Sequence, residues 1–260
     1  MKYSQYLKTG TSLFTVLIFS MCVVFSQKAN LKQQEETKNQ LTYAQEEKKI
    51  ASIAKIQQRL PGFGYDNLLA NWNFLQFVQY FGDAEAREVT GYSLVTDYFK
   101  IVVDKDPRFT QALLSFSAAN SLFAGKPKET VELINKALKT ASPDLPGYPF
   151  LLWTYKATDE ILFLGNISAA KDSYEMAAKW ASMKNDGVGK KMTTRYKATA
   201  KFLASNPDSK DAQIVAWTNV LSQAPDLKTQ QRAIDKLKTL GVNVFIDGEG
   251  KINVVKQKKT

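Results

Sequence analysis

The chain of 260 residues contains no histidine and a single cysteine, Cys22, which lies inside an apolar run near the N-terminus. Without histidine the chain cannot form a Ser-His-Asp or Cys-His catalytic arrangement, and zinc sites built from histidine and cysteine are excluded too. A single cysteine also excludes an intrachain disulfide. Chemistry based on carboxylates or lysine stays open, but no spacing of these residues points to a catalytic site.

Nucleotide-binding and calcium-binding motifs are lacking as well. The sequence contains no P-loop, no dinucleotide fingerprint and no EF-hand loop. We therefore predict a protein that is not an enzyme, with no catalytic residue, no cofactor, no metal ion, no nucleic-acid partner and no small-molecule substrate.

One tight acidic pair, Asp159-Glu160, stands in the central part of the chain. Adjacent side chains on a helix diverge by about 100°, so the two carboxylates would not face the same point. We predict a solvated pair; a metal site or an acid/base site is the alternative.

Basic residues outnumber acidic ones by 35 to 25, which gives a formal net charge of +10. The excess is scattered along the chain except at the basic tail, Lys256–Thr260. We interpret both as solvated charge that keeps the protein soluble. Attraction to an acidic protein or to an anionic lipid surface is the alternative.

An apolar run extends from Leu13 to Phe25, with Lys2 and Lys8 before it and Lys28 and Lys32 after it. This pattern is typical of a signal peptide or a signal anchor. We predict an uncleaved anchor that makes the chain a single-pass membrane protein. The short basic N-terminus would stay in the cytoplasm, leaving the rest of the chain in the periplasm or the thylakoid lumen.

Two other fates of this segment remain open. The run is slightly shorter than the ~20 residues that a spanning helix needs, so cleavage after Ser26 is an alternative to anchoring. Lipidation of Cys22 is disfavoured because Met21 stands where such sites require a small residue.

Residues 28–60 are polar and helix-prone, and apolar residues at helical spacing appear only near their end, at Ile53, Ile56 and Leu60. A sustained heptad is absent, so we predict a solvated helical stalk rather than a long coiled coil; a local coiled coil near its end is the alternative. Pro61-Gly62 ends it.

The segment from Tyr65 to Gly82 is rich in aromatic residues on two helical faces. One face carries Leu68, Trp72 and Leu75. We predict that the aromatic residues are buried as the cap of a helical array; a contact surface for a partner is the alternative, and a second membrane segment is disfavoured by its polar residues. The candidate aromatic surface consists of Trp72, Phe74, Phe77 and Phe81.

Two stretches in the middle of the chain share one pattern: a glycine followed by residues at spacings of 5, 9 and 12 that form one helical face. They are Gly125, Thr130, Ile134, Ala137 and, 40 residues later, Gly165, Ala170, Tyr174, Ala177. Two copies of helix, glycine turn and helix are typical of a helical repeat array.

These positions resemble the second half of a tetratricopeptide repeat over roughly residues 107–183, although the period is longer than the family's 34. The first helices depart from the family pattern. Leu114 and Thr154 stand where the family prefers a large aromatic residue, and Ser121 and Ile161 stand where it prefers tyrosine. The aromatic segment also resembles one in poorly characterised membrane-anchored repeat proteins of bacteria, cyanobacteria included, with Asn71 in place of aspartate.

The resemblance implies an inner groove that could hold a partner protein. Carried over position by position, the groove includes Ser115, Ala119, Tyr155 and Asp159. The family's chaperone adaptors clamp a C-terminal carboxylate with lysine and asparagine, which this chain lacks at these positions.

Further helices are predicted from Tyr92 to Val103 and along three later apolar stripes, and β-branched runs at 242–246 and 251–255 predict a hairpin. The fold class is therefore all-α: an array of antiparallel helix pairs (61–240) behind a membrane anchor (1–27) and a stalk (28–60), with a β-hairpin and basic tail (241–260). We expect a membrane-anchored scaffold that binds other proteins in the assembly or organisation of a membrane complex. The alternative is an envelope enzyme, or its regulatory subunit, that uses carboxylates.

Overall fold

The computed structural model describes residues 20–28, 43–205, 207–224, 226–246 and 252–256. In these residues the chain is mostly helical, which confirms the predicted all-α class. Residues 20–28 are helical (α1). The next helices are α2 (Tyr43–Arg59), α3 (Asp66–Gly82), α4 (Ala84–Thr90), α5 (Val95–Lys105), α6 (Thr110–Ala118) and α7 (Pro127–Leu138). They are followed by α8 (Phe150–Leu162), α9 (Ile167–Ser182), α10 (Gly187–Leu203), α11 (Lys210–Gln223), α12 (Leu227–Thr239), β1 (Val242–Ile246) and β2 (Ile252–Lys256).

Several predicted features lie outside the described residues. They are the first half of the apolar run, residues 29–42 of the predicted stalk, the connection between the two predicted strands, and the end of the basic tail. Of the helices that are described, none combines the length and the apolar character needed to cross a membrane.

The chain divides into two compact units, Met1–Lys48 and Lys49–Thr260. The second unit contains a large core built mainly by α3, α5, α6 and α7. Aromatic residues dominate this core: Phe77 lies 4.2 Å, centroid to centroid, from Phe116, and Phe116 stacks on Phe99 at 5.3 Å. Such ring pairs add to the free energy gained from burying the apolar area.

The two predicted glycine turns join α6 to α7 and α8 to α9. Gly125 and Gly165 have positive φ angles of 66° and 65°, a conformation that glycine adopts without the strain of a side chain. Behind each turn the predicted face is directed inwards: Tyr174 is half-buried, and the other members are buried, among them Ile134 and Ala177, which have no exposed surface. The local pattern therefore predicted both turns and the inward side of each following helix.

Helices α11 and α12 are stabilised by an apolar stripe centred on Trp217, which is buried against Phe163 at 5.0 Å between ring centroids. Helix α11 packs on α8, so the C-terminal helices contact a helix from the middle of the chain. On α12, the Thr229 hydroxyl and the Arg232 guanidinium donate hydrogen bonds of 3.1 and 2.8 Å to the carbonyl of Phe123. Gly241, with a φ of 73°, follows α12, and β1 packs on this helix.

Strand β1 pairs with β2 in an antiparallel register that places Val242 opposite Lys256 and Ile246 opposite Ile252. Val242 is buried in the α11–α12 cluster. The strand pair is thus attached to the helices through β1.

The prediction that the aromatic residues of α3 are buried together is wrong for Trp72, whose surface is 52% exposed. Phe77 is 4% exposed, while Phe74 and Phe81 are half-buried against the same core. Two residues rotate the side-chain direction by about 200° around the helix axis, so Trp72 and Phe74 point to nearly opposite sides of α3. In the described residues α3 packs on α5 and, through Phe74 and Phe77, on Phe116 of α6, whereas the face that carries Trp72 is exposed.

Candidate functional site

A cavity of about 320 Å³ lies between the C-terminal part of α6, helix α8 and helix α11. Its walls are mostly apolar and include Leu122, Phe123, Leu162 and Phe163. Their hydrocarbon surface favours an apolar ligand, and a few polar groups among them would orient it.

Two of the four predicted groove residues line this cavity. Tyr155 and Asp159 lie one turn apart on α8 and both contribute to the wall. Ser115 is half-buried and its hydroxyl bonds back to the carbonyl of Gln111 at 3.1 Å, whereas Ala119 is buried. Neither is part of the wall, so the cavity brings together two of the four predicted groove residues.

Asp159 and Glu160 are both buried, so the prediction of a solvated acidic pair is wrong; their surfaces are 5% and 3% exposed. The two side chains do diverge, as predicted, but each points towards a neighbouring helix instead of solvent. Asp159 Oδ2 accepts a hydrogen bond of 2.7 Å from Ser121, and Glu160 Oε2 accepts one of 2.7 Å from Ser173 on α9. Helix α8 is covered on both of these sides.

Glu160 belongs to a closed polar triad. The Lys156 ammonium lies 2.8 Å from Glu160 Oε1 and donates a bond of 2.7 Å to the Ser173 hydroxyl, which donates to the other oxygen of Glu160. Both carboxylate oxygens therefore have partners. The ion pair and the hydrogen bonds offset part of the free energy lost when both charges leave water.

Asp159 lines the cavity and has fewer polar partners than Glu160 to offset the burial of its charge. Burial, together with the nearby charge of Glu160, raises the pKa of Asp159 from 3.8 to about 7, while the hydrogen bond from Ser121 opposes the rise. Desolvation disfavours the charged form of a carboxyl group more than one hydroxyl can restore.

The hydrogen-bond chain around Asp159 can accommodate either protonation state of the carboxyl group. Ser121 Oγ lies 2.7 Å from Asp159 Oδ2 and 2.9 Å from Thr130 Oγ1, but a hydroxyl has one proton to donate. When Asp159 is protonated it donates to Ser121, Ser121 donates to Thr130, and Thr130 donates to the carbonyl of Lys126 at 3.0 Å. Every contact in the chain is then a hydrogen bond.

Ser121 reaches Asp159 from a π-helical turn, Ala119–Phe123, that continues α6. Asn120 in the same turn accepts a hydrogen bond of 2.6 Å from the Thr96 hydroxyl and donates one of 3.0 Å to the Thr130 hydroxyl. Turns of this kind are frequent at functional sites. Here the turn joins α5, α7 and α8 into one buried polar network.

Sequence reasoning missed most of the cavity wall. The contribution of α11, through Ala216, Asn219 and Val220, has no local signal, because it depends on how the chain returns to α8. The contact between Ser121 and Asp159 had no local signal either, because the two residues are 38 positions apart in the chain.

The exposed face of α3 is a second candidate site. Leu68, Trp72 and Leu75 follow each other at i, i+4 and i+7 and are 64%, 52% and 56% exposed. We call these three residues the α3 outer face. Of the predicted aromatic surface, it contains Trp72 alone, since Phe74, Phe77 and Phe81 point to the core.

Among the described residues, no group of three or more cysteine, aspartate or glutamate side chains is placed to hold a metal ion. Comparison of the chain with known protein families, curated proteins and solved structures finds no match.

Proposed function

We propose that this protein is a non-enzymatic helical-repeat scaffold that binds another protein through the α3 outer face. The observation that carries the proposal is the exposure of three large apolar side chains on one helical face. Large contiguous apolar patches are rare on monomeric proteins and often mark interaction sites. Tryptophan is also among the residues that most often dominate binding energy.

The opposite side of α3 makes this face a rigid platform. Phe77 contacts Phe116, and Phe74 lies 5.4 Å from Phe109, centroid to centroid. A helix fixed in this way loses little conformational entropy on binding, which favours affinity. The matching partner is one that offers an apolar groove to a helix.

The proposal also includes the repeat array and the membrane anchor. Two successive helix pairs with glycine turns support a tetratricopeptide-like array. The apolar run at Leu13–Phe25 with its flanking lysines supports a signal anchor. In this arrangement the helical domain stands outside the cytoplasm, where it would help to assemble or organise a membrane complex.

The enzyme alternative requires carboxylates that converge on one cavity. Asp159 lines the cavity, whereas Glu160 is directed to Lys156 and Ser173. The two acids therefore cannot share a proton or a reacting group at this position, and we favour the scaffold.

The test places a photo-crosslinking amino acid at position 68 of the full chain in native membranes. We expect crosslinking to one protein partner, reduced at least about tenfold by Trp72→Ala, as for a binding hot spot. Phe202→Ala, which removes an exposed aromatic side chain from α10, is the matched control and should leave the crosslink intact. Crosslinking in the Trp72→Ala chain that equals crosslinking in the chain with Trp72 would contradict the proposal.

Unfolding measurements on the same variants separate binding from stability. Trp72→Ala removes a side chain that is about half exposed and should lower the free energy of unfolding by much less than truncation of a fully buried aromatic residue. Phe77→Ala should cost about 3–5 kcal/mol because it opens a cavity in the core. A large loss in Trp72→Ala would mean that its effect on crosslinking reflects misfolding.

A further inference from the structure

The cavity beside α8 has the charge pattern of a cation site. Of the described residues that line it, Asp159 is the one that can carry a charge near neutral pH, and none is lysine or arginine. The hydrogen bond from Ser121 goes to Asp159 Oδ2. Oδ1 accepts no hydrogen bond from the described part of the chain and is left for a ligand.

We propose that this cavity binds a primary ammonium group on a short apolar stem, with the ammonium donating a hydrogen bond to Asp159 Oδ1. The apolar walls, including Leu162 and Phe163, would surround the stem. This site goes beyond the proposed function, since none of the α3 outer face belongs to it.

Size and chemistry agree with such a ligand. A volume of about 320 Å³ corresponds to roughly ten water molecules at ~30 Å³ each, which is room for a stem of several carbons. An anionic ligand would meet a carboxylate and no compensating cation. An ammonium group gains a charge-assisted hydrogen bond in a poorly hydrated site, where such bonds are strong.

Binding should be coupled to the ionisation of Asp159. From α8 itself the neighbouring titratable groups are Tyr155 and Glu160, and the charge of Glu160 is paired with Lys156. The π turn, α11 and α12 line the cavity with uncharged groups, among them Ser121, Asn219 and Thr229. The Arg232 guanidinium of α12 is bound to the carbonyl of Phe123 and is not part of the wall. Since burial raises the pKa of Asp159 to about 7, the ammonium must displace a proton at lower pH.

The experiment is calorimetric titration of the full chain in mild detergent with hexylammonium chloride, using 1-hexanol as the uncharged analogue. We expect hexylammonium to bind at least about tenfold more tightly than hexanol. About 0.9 proton should be released per ligand at pH 6 and about 0.1 at pH 8, measured in buffers of different ionisation enthalpy. The apparent affinity should be about tenfold higher at pH 8 than at pH 6.

Two variants test the site from different sides. Asp159→Asn should abolish the preference for the cation and the proton release. Ala216→Leu should fill the cavity from α11 and weaken both ligands without touching Asp159. Asp172→Asn, which removes an exposed carboxylate from α9, is the matched control and should bind like the wild type. Equal affinity for hexanol, or proton release that persists in Asp159→Asn, would overturn the inference.

A final arm identifies the source of the ammonium group. Tighter binding of a capped lysine peptide than of hexylammonium would assign the site to a lysine side chain of a partner, and the reverse order to a free amine. Both results support the ammonium chemistry. No binding of either one in a chain that keeps its α3 crosslink would defeat this inference and leave the proposed scaffold function standing.

Discussion

Asp159 and Glu160 are adjacent residues of the same kind, yet their surroundings give them different properties. Glu160 has a lysine and a serine as partners and forms a buried ion pair. Asp159 has one serine and a cavity, and its pKa is raised to about 7. A rotation of about 100° around α8 decides which partners each carboxyl group meets.

We predict that Asp159 makes the stability of the fold depend on pH. A carboxyl group whose pKa is higher in the folded than in the unfolded chain costs nothing below the unfolded value. Its penalty grows as the pH rises from about 4 to about 7 and is complete above that. Asp159→Asn should therefore gain stability relative to the wild type, by up to about 4 kcal/mol between pH 4 and pH 8, at ~1.4 kcal/mol per pKa unit.

Urea unfolding of residues 49–260, the unit that holds the core, measures this difference at each pH. Asp172→Asn controls for the loss of one carboxylate and should not reproduce the trend. A stability difference between Asp159→Asn and wild type that is constant from pH 4 to pH 8 would contradict the raised pKa.

At the scale of single elements, the glycine turns determine how each helix pair closes. Gly165 has a φ of 65°, and a Cβ added there would lie 2.9 Å from the side-chain nitrogen of Gln213 on α11. Two constraints thus act on one residue: the turn needs a left-handed backbone conformation, and α11 needs the space. The same turn links local geometry to the packing of a distant helix.

Gly165→Ala should destabilise the fold by about 1–2 kcal/mol through backbone strain alone, with a further cost from moving Gln213. Gly187→Ala is the matched control. Gly187 begins α10 and has open space around its Cα, so the substitution should be neutral or slightly stabilising. Thermal unfolding of both variants measures the contrast, and equal midpoints would mean that the turn tolerates a side chain.

The π turn after α6 shows how one irregular element can organise several regular ones. Its five residues supply Asn120 and Ser121 to the buried network and offer the Phe123 carbonyl to α12. A regular helix over these residues would place the side chains about 100° per residue around the axis. A π turn contains more residues per turn, which changes these directions, and here it lets Asn120 reach Thr130 and Ser121 reach Asp159.

At the scale of the whole molecule, the proposed location can be tested directly. We predict an integral membrane protein with residues 61–260 outside the cytoplasm. Carbonate washing should leave the chain in the membrane pellet, because an anchored helix is not extracted by high pH. Protease added to spheroplasts should degrade the helical domain.

Two results would contradict or narrow this location. A mature chain that begins at Gln27 would show that the N-terminal segment is a cleaved signal peptide. Protection of the helical domain from protease in intact spheroplasts, with digestion only after lysis, would exclude the periplasm and leave the thylakoid lumen or the cytoplasm.

Sequence alone determined the elements that depend on neighbours along the chain. Helical periodicity predicted the buried faces around Ile134, Ala177 and Trp217, and the glycines predicted two turns with positive φ. These features follow from local rules, because the side-chain directions on a helix repeat every 3.6 residues and only glycine adopts a left-handed turn freely.

The tertiary structure decided which of these faces meets another helix. The pattern placed Trp72 and Phe77 on different sides of α3, but not which side would be covered. It separated Asp159 from Glu160, but did not show that both directions end in neighbouring helices. The cavity likewise depends on α11 returning to α8 across some 50 residues of chain, a long-range contact that no local spacing encodes.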